Sequence, residues 1–278
     1  MKEFLNNLRR DQKIVILAGI LFVILTLVLM VLLAVDSTQI LGINRWIKPI
    51  KFASSIAIYL FTLAIFLFFL PDFKKSKKII AYGSILFMVG EIALIIMQAI
   101  RGTTSHFNNS SLFDGIVFTV MGIMIVTNTF LIIWLTVLYF RADFELPNAV
   151  VWGMRLGLIV FVIGSAQGGY MASQTGHAVG GLDGGAGLPL VNWSTIVGDL
   201  RVAHFLGLHA FQAIPLFSLA LVYLKKQISL IKPTALTVIF AALYFSAFTL
   251  VFAQASAGKP FIRQEILTGK FNKEEILK

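Results

Sequence analysis

The sequence predicts an all-α, polytopic membrane helix bundle with about seven transmembrane helices. Of the 278 residues, 58% are apolar and only 13% are charged, whereas a soluble domain carries about 25% charged residues. The apolar residues form continuous runs close to the length of about 20 residues that a helix needs to cross a bilayer. Continuous runs favour helices over a membrane barrel, because barrel strands alternate apolar and polar positions.

Seven such runs divide the chain into a transmembrane domain, 1–255, and a surface tail, 256–278. The first run is longer than the apolar core of about 7–15 residues in a signal peptide, so we expect a retained helix. In the tail, the spacing of Ile262, Ile266 and Leu267 predicts a short amphipathic helix. The predicted spans are about 14–35, 52–70, 79–100, 113–139, 150–171, 200–224 and 233–255.

The distribution of lysine and arginine predicts the orientation. With the N-terminus inside, the inner segments would hold 13 of the 23 Lys and Arg residues, the outer loops 5 and the tail 5. The positive-inside rule therefore favours a cytoplasmic N-terminus and an outer C-terminus in a bacterial-type inner (plasma) membrane. It also accounts for much of the net charge of +10, so we expect lipid bilayer and not nucleic acid as the partner. The oligomeric state stays open.

Several classes of site are excluded by the residues that the chain lacks. Cysteine is absent, which excludes disulfides, thiolate catalysis and thiolate metal ligands. The motifs HExxH and GxSxG are also absent. The seventh span has no lysine for a retinal Schiff base, and no HxxxH pair resembles that of the alkaline-ceramidase type of zinc hydrolase.

Polar residues inside two apolar spans mark the candidate site. An ionisable group in a hydrocarbon-spanning segment costs roughly 2.5–3.5 kcal/mol, so such groups usually serve a function. At about 100° per residue, the sixth span gathers its polar side chains on an arc of about 140° that extends over about 16 Å. These side chains are Arg201, His204, His209 and Gln212, with Asp199 just before them.

Histidines suggest a metal or haem as cofactor. His204 and His209 point about 140° apart, so they cannot chelate one ion from a single helix turn. A shared ion would need His106 or His177 from the loops that precede the fourth and sixth spans. Haem avoids this difficulty, because one histidine on each axial side is enough.

Glu91 lies near the middle of the third span and forms a stripe with Ser84 and Gln98, which are seven residues away on either side. A carboxylate at this depth is expected to be protonated or paired. A contact of Glu91 with Arg201 or His209 would make one connected polar core, in which Glu91 and Asp199 orient groups or relay protons. Arg201 would then meet an anionic group.

Two glycine patterns have structural interpretations. Gly153, Gly157, Gly164 and Gly168 share one face of the fifth span, which predicts close packing against another helix. The long glycine-rich loop 172–199 is predicted to be a packed lid over the outer end of the sixth span.

Three functions remain open. The first is a metal- or haem-dependent membrane enzyme that takes a small ligand or ion at its outer face. The second is a proton-coupled transporter or permease, with Glu91, Arg201 and His209 along the pathway. The third is a non-catalytic membrane partner, in which alanine at His204 and His209 would harm only stability.

Overall fold

The computed structural model describes residues 2–184, 187–224 and 232–263, which form the predicted all-α bundle. Seven helices are long and apolar enough to cross a membrane. The helices are α1 (Lys2–Asp11), α2 (Lys13–Val35), α3 (Ile47–Phe69), α4 (Lys74–Ile100), α5 (Leu112–Arg141), α6 (Asn148–Ser173), α7 (Leu200–Leu224) and α8 (Pro233–Ser256). Two antiparallel pairs of short strands join β1 (Gln39–Ile40) to β2 (Ile43–Asn44) and β3 (Ala178–Val179) to β4 (Gly198–Asp199).

The two ends of the bundle differ in character. Since successive spans run in opposite directions, α3, α5 and α7 begin at the end where α2, α4, α6 and α8 finish. We call this the lid end, after the loop 174–199 between α6 and α7, which we call the lid. The opposite end, which carries α1, is the α1 end.

The predicted spans match the observed helices closely, with three differences: the start of α3, the start of α4 and the additional helix α1. α3 begins at Ile47 and not at 52, and α4 begins at Lys74 and not at 79. The first turn of each helix contains lysines. The helix therefore begins before the apolar run from which the span was predicted. Pro49 fits because a proline is tolerated in the first turn of a helix. The third difference is α1, a helix that precedes the first predicted span. Most of the tail, 264–278, lies outside the described residues.

Close packing between α6 and α7 organises half of the bundle. A Cβ on Gly164 would lie 2.6 Å from the Cα of Gly207, and one on Gly157 would lie 2.9 Å from the carbonyl oxygen of Ala210. The predicted packing role of the glycine face is therefore confirmed. α7 continues as a helix through Pro215, whose ring would be 3.1 Å from the same Gly157 Cβ.

Aromatic side chains fill the interior between the bundle's middle and the α1 end. Phe66 lies 4.4 Å from Phe211 and 5.3 Å from Tyr139, and Phe161 lies 5.1 Å from Phe211, between ring centroids. The Tyr139 hydroxyl donates to the carbonyl oxygen of Phe66 at 2.7 Å. We call these four residues the aromatic cluster. They separate the α1 end from the polar groups described next.

Candidate functional site

The lid is fastened to three helices. The beginning and end of the lid are joined by the pairing of β3 with β4. Leu200, the first residue of α7, donates its N–H to the carbonyl oxygen of His177 at 2.9 Å. In the middle of the lid, the Lys51 ammonium of α3 donates to the carbonyl oxygen of Val191 at 3.0 Å. Near α8, Gly198 packs so closely on Ala255 that any Cβ would collide with the Ala255 carbonyl oxygen. The lid is thus a packed structure, in agreement with the prediction.

A buried ion pair holds the lid at the start of α7. Asp199 is 1% exposed, and its two carboxylate oxygens accept from the Arg201 side chain at 2.9 and 2.6 Å. The same carboxylate accepts from the backbone N–H groups of Arg201 and Ser194, and Arg201 also donates to the Asn192 carbonyl oxygen. Burial alone would raise the pKa of Asp199, but the hydrogen bonds and charge of Arg201 lower it below its ordinary value. These contacts fix the end of the lid to the first turn of α7.

His177 lies between two carboxylates of the lid. Its Nδ1 is 3.3 Å from an oxygen of Asp183 and 3.8 Å from an oxygen of Asp199. Asp183 is itself held by the backbone N–H groups of His177 and Ala178. Burial lowers the pKa of His177 to about 4, and the positive charge of Arg201 acts in the same direction. The imidazole is therefore neutral at neutral pH.

Deeper in the bundle, Glu91 faces His106. Glu91 is 4% exposed, and its Oε1 lies 3.7 Å from Nε2 of His106 in the loop between α4 and α5. The other oxygen, Oε2, is buried and has no hydrogen-bond partner among the described residues. Nδ1 of His106 lies 3.1 Å from the Ser105 hydroxyl, and its ring packs on Phe52. The expected contact of Glu91 with Arg201 or His209 is replaced by this one.

Neutral His106 can face Glu91 in either of its two tautomers. Burial lowers the pKa of His106 well below its ordinary value, and the nearby charge of Lys48 acts in the same direction. If the Ser105 hydroxyl donates to Nδ1, then Nε2 carries the imidazole proton toward Glu91. If Nδ1 donates instead, the lone pair of Nε2 faces a carboxyl group that can carry the proton. With Glu91 ionised in the first arrangement and protonated in the second, the second holds one proton more. In both arrangements the separation of Nε2 and Oε1 is longer than an ordinary hydrogen bond.

Lys48 is a site residue that the sequence did not reveal. It is half-buried in the first turn of α3, and its charge acts on Glu91, His106 and His177. Within the described part of the chain its ammonium forms no hydrogen bond or ion pair, whereas neighbouring Lys51 and Arg201 are both bonded. The prediction had placed Lys48 in a loop, because the start of α3 was assigned too late.

A hairpin positions this first turn. The Asp36 carboxylate accepts from Thr38, from the Trp46 indole and from Arg45, with which it also forms an ion pair. Hydrogen bonds from Thr38, followed by those from Trp46 and Arg45, lower the pKa of Asp36 below its ordinary value although burial opposes them. The segment 36–46 is thereby fixed to the residue that precedes α3.

The remaining predicted residues lie at helix contacts. Nδ1 of His204 lies 2.9 Å from the carbonyl oxygen of Gly164, and its ring packs on Gly168. The ring centroid of His209 lies 4.1 Å from that of Phe205. Gln212 donates to the Thr62 hydroxyl of α3 at 3.0 Å. The polar face of α7 therefore contacts both α6 and α3 and does not line one common pocket.

The four histidines occupy separate positions in the described structure. His204 is near enough to His106 to act on it electrostatically, but over residues 2–184, 187–224 and 232–263 no group of three or more His, Asp or Glu side chains is arranged to hold a metal ion. A small cleft of about 10 Å³ within the lid is lined by residues that include His177, Asn192, Ser194 and Arg201. A cavity needs roughly 10–15 Å³ to hold one water molecule, so this cleft has no room for haem.

A second polar layer lies below Glu91. Ser84 is about 10 Å from Glu91 along α4, and its hydroxyl is 3.0 Å from that of Tyr59. Tyr59 also donates to Asn128 at 3.2 Å. The Tyr59 ring packs on Phe161 and Phe211, which belong to the aromatic cluster. The polar layers thus end at that cluster.

Comparison with known proteins gives no relative: no protein-family profile, curated protein or solved structure matches the chain.

Proposed function

We propose that this multi-pass membrane protein binds a small polar ligand through its lid end and exchanges a proton with it at Glu91 and His106. The observation that carries the proposal is the buried Glu91 carboxylate, which has one oxygen near a neutral histidine and the other without a partner in the described structure. An ionisable residue inside a membrane span is a functional-site candidate by default. An unsatisfied carboxylate oxygen at this depth is costly unless a proton or a ligand completes it.

The groups around Glu91 suggest how the ligand would be held. The Lys48 ammonium, which has no hydrogen-bond or ion-pair partner in the described part of the chain and lies 5.9 Å from the Phe52 ring centroid, would contact a negative or partly negative group. His106 accepts or donates the proton, and the 3.7 Å separation would shorten when a ligand closes the site. Asp199 and Arg201, predicted as relay and anion-binding groups, are proposed instead to hold the lid in place.

The haem or transition-metal alternative has less support. Its four proposed ligands, His106, His177, His204 and His209, are engaged separately. Of these, His204 comes closest to a ligand, because donation from Nδ1 to a backbone carbonyl would leave Nε2 free, as in many metal sites. Among the described residues, however, no group of three or more His, Asp or Glu side chains could hold a metal ion there.

Infrared difference spectroscopy of the purified protein tests the proposal. On a pH step, the wild-type chain should show a carboxylic-acid carbonyl band that Glu91→Gln removes. Replacing His106 by Gln should shift the pH at which the band appears, because the proton loses its partner. Glu145→Gln, an exposed carboxylate in the loop between α5 and α6, is the matched control. An unchanged band in Glu91→Gln would refute a titrating Glu91.

Transport is a second candidate, because the Tyr59–Ser84–Asn128 layer extends the polar region beyond Glu91. A carrier would have to open the aromatic cluster to reach the α1 end. Reconstituted vesicles with an internal pH dye separate the two functions. A site closed at one end gives no proton flux, whereas a flux lost in Glu91→Gln would identify a carrier.

The proposed membrane is the bacterial-type inner membrane, with the lid end outside. The cysteine-free chain allows a direct test. A cysteine placed at exposed Thr175 should react with an impermeant maleimide on intact cells. Labelling only after lysis would reverse the orientation and leave the proposed chemistry unaffected.

A further inference from the structure

The α1 end carries an exposed basic surface made by three helices. Its residues are Arg9 and Arg10 of α1, Lys13 of α2, and Lys74, Lys75 and Lys78 of α4. Lys77 is close enough to Asp11 for electrostatic attraction, which places the end of α1 beside the start of α4. Among these six cations only Arg10 has an ion-pair partner in the described structure, the adjacent Asp11. The other five have no ion-pair partner among the described residues, although Glu3 and Asp11 lie on α1 and Asp72 lies just before α4.

The helix α1 is fixed to the bundle by one side only. Phe4 packs on Phe68 and Phe69, with ring centroids 5.6 and 5.8 Å apart, and Leu8 is buried. Leu5, next to this apolar side, remains 52% exposed. At about 100° per residue, Arg9 is only about 40° further around the helix than Leu5. An exposed apolar residue thus adjoins the cations.

Apolar side chains beside basic ones are typical of helices that lie in a membrane interface. A soluble polyanion would match the charge of this surface but would leave Leu5 in water. We propose that the basic surface binds the phosphate headgroups of anionic phospholipids, with Leu5 inserted among their acyl chains. The surface belongs to the opposite end from Glu91, so the proposal is independent of the proposed function.

Short-chain phosphatidylglycerol is a suitable probe, with phosphatidylcholine of the same chain length for comparison. An environment-sensitive dye on Leu5→Cys, in a chain without other cysteines, reports binding in detergent. The dye should respond to phosphatidylglycerol at much lower concentration than to phosphatidylcholine, and the difference should shrink with added salt. Equal responses to the two lipids would overturn the proposal, as would an equal response to inorganic phosphate.

Charge-neutral variants test the residues. Each basic residue near an anionic surface strengthens binding by about fivefold, so Arg9→Gln with Arg10→Gln should raise the half-saturating phosphatidylglycerol concentration about 25-fold. Both side chains are exposed, so the variant should fold. Lys74→Gln with Lys75→Gln should act in the same direction if α1 and α4 form one surface. The matched control, Lys259→Gln with Arg263→Gln at the lid end, should bind like the parent protein. A normal half-saturation in both α1-end variants would refute the proposal.

Discussion

Replacing Asp199 by Asn should release the lid. The change keeps the shape of the side chain but removes its charge. The Asp199 oxygen that accepts from Ser194 and Arg201 becomes an NH₂ donor, or the side chain must rearrange. Breaking a buried ion pair by removing one partner costs about 3–5 kcal/mol. The Arg201 side chain is 26% exposed, so water recovers part of this cost. We therefore expect a loss of roughly 2–3 kcal/mol, or about a 30- to 150-fold rise in the population of open lid.

Maleimide labelling of a cysteine at Thr195 measures that population, because Thr195 is 9% exposed in the closed lid. When closing is faster than labelling, the rate follows the opening equilibrium. A cysteine at the neighbouring, exposed Ile196 should react at the same rate with or without the substitution. Asp11→Asn, which removes a carboxylate from an exposed surface pair, should leave Thr195 labelling unchanged.

The origin of the effect can also be tested. Adding Arg201→Gln to Asp199→Asn should restore part of the protection, because the unpaired buried charge is then removed. If Asp199→Asn labels Thr195 at the parental rate, the ion pair does not hold the lid and the assignment of Asp199 as an anchor is refuted.

Two further outcomes follow from the structure. The pKa of His177 is lowered to about 4 in the folded chain from an ordinary value of 6.5, so its contribution to lid stability is present above about pH 6.5 and is lost as the pH falls toward 4. Because maleimide reacts with the thiolate, which becomes scarcer as the pH falls, Thr195 labelling is divided at each pH by the labelling of a cysteine at exposed Ile196. This ratio should rise over that window, with Asp183, Asp199, Arg201 and Lys48 as the facing charges. His177→Gln should remove the rise, and an unchanged profile of the ratio in that variant would refute the assignment. In α6, Gly164→Ala should lower the free energy of unfolding by about 1–3 kcal/mol, because the new Cβ would collide with Gly207. The control Gly169→Ala has open space at its Cβ and should be neutral or stabilising in reversible unfolding. Equal stability of the two variants would show that α6 and α7 can separate freely.

Periodicity and composition were sufficient for the helices of this chain but not for their neighbours. The polar arc of α7 was predicted from rotation alone, yet its members face different helices, which rotation cannot specify. The pairing of Asp199 with Arg201 joins residues two apart at a helix start, where a loop turns into a helix. No helical or strand pattern predicts such a contact.

Lys48 shows the opposite difficulty. Its charge ended the apolar run, so the sequence assigned it to a loop, whereas the hairpin held by Asp36 starts α3 earlier and carries Lys48 into the site. The Glu91 and His106 pair depends on the path of the loop after α4. That path is set by side-chain hydrogen bonds such as those of Asn108 with Thr103 and Thr104, which have no periodic signature.

The lid's attachments have a mechanical consequence. The lid is attached to three helices, through Lys51 of α3, the Asp199–Arg201 pair at α7, and Gly198 against α8. Any two of these helices can therefore separate at the lid end only if the lid changes its conformation. Entry of the proposed ligand would therefore depend on one coupled opening of the lid. A change at any one attachment should alter entry and exit together, leaving the affinity of the closed site unaltered.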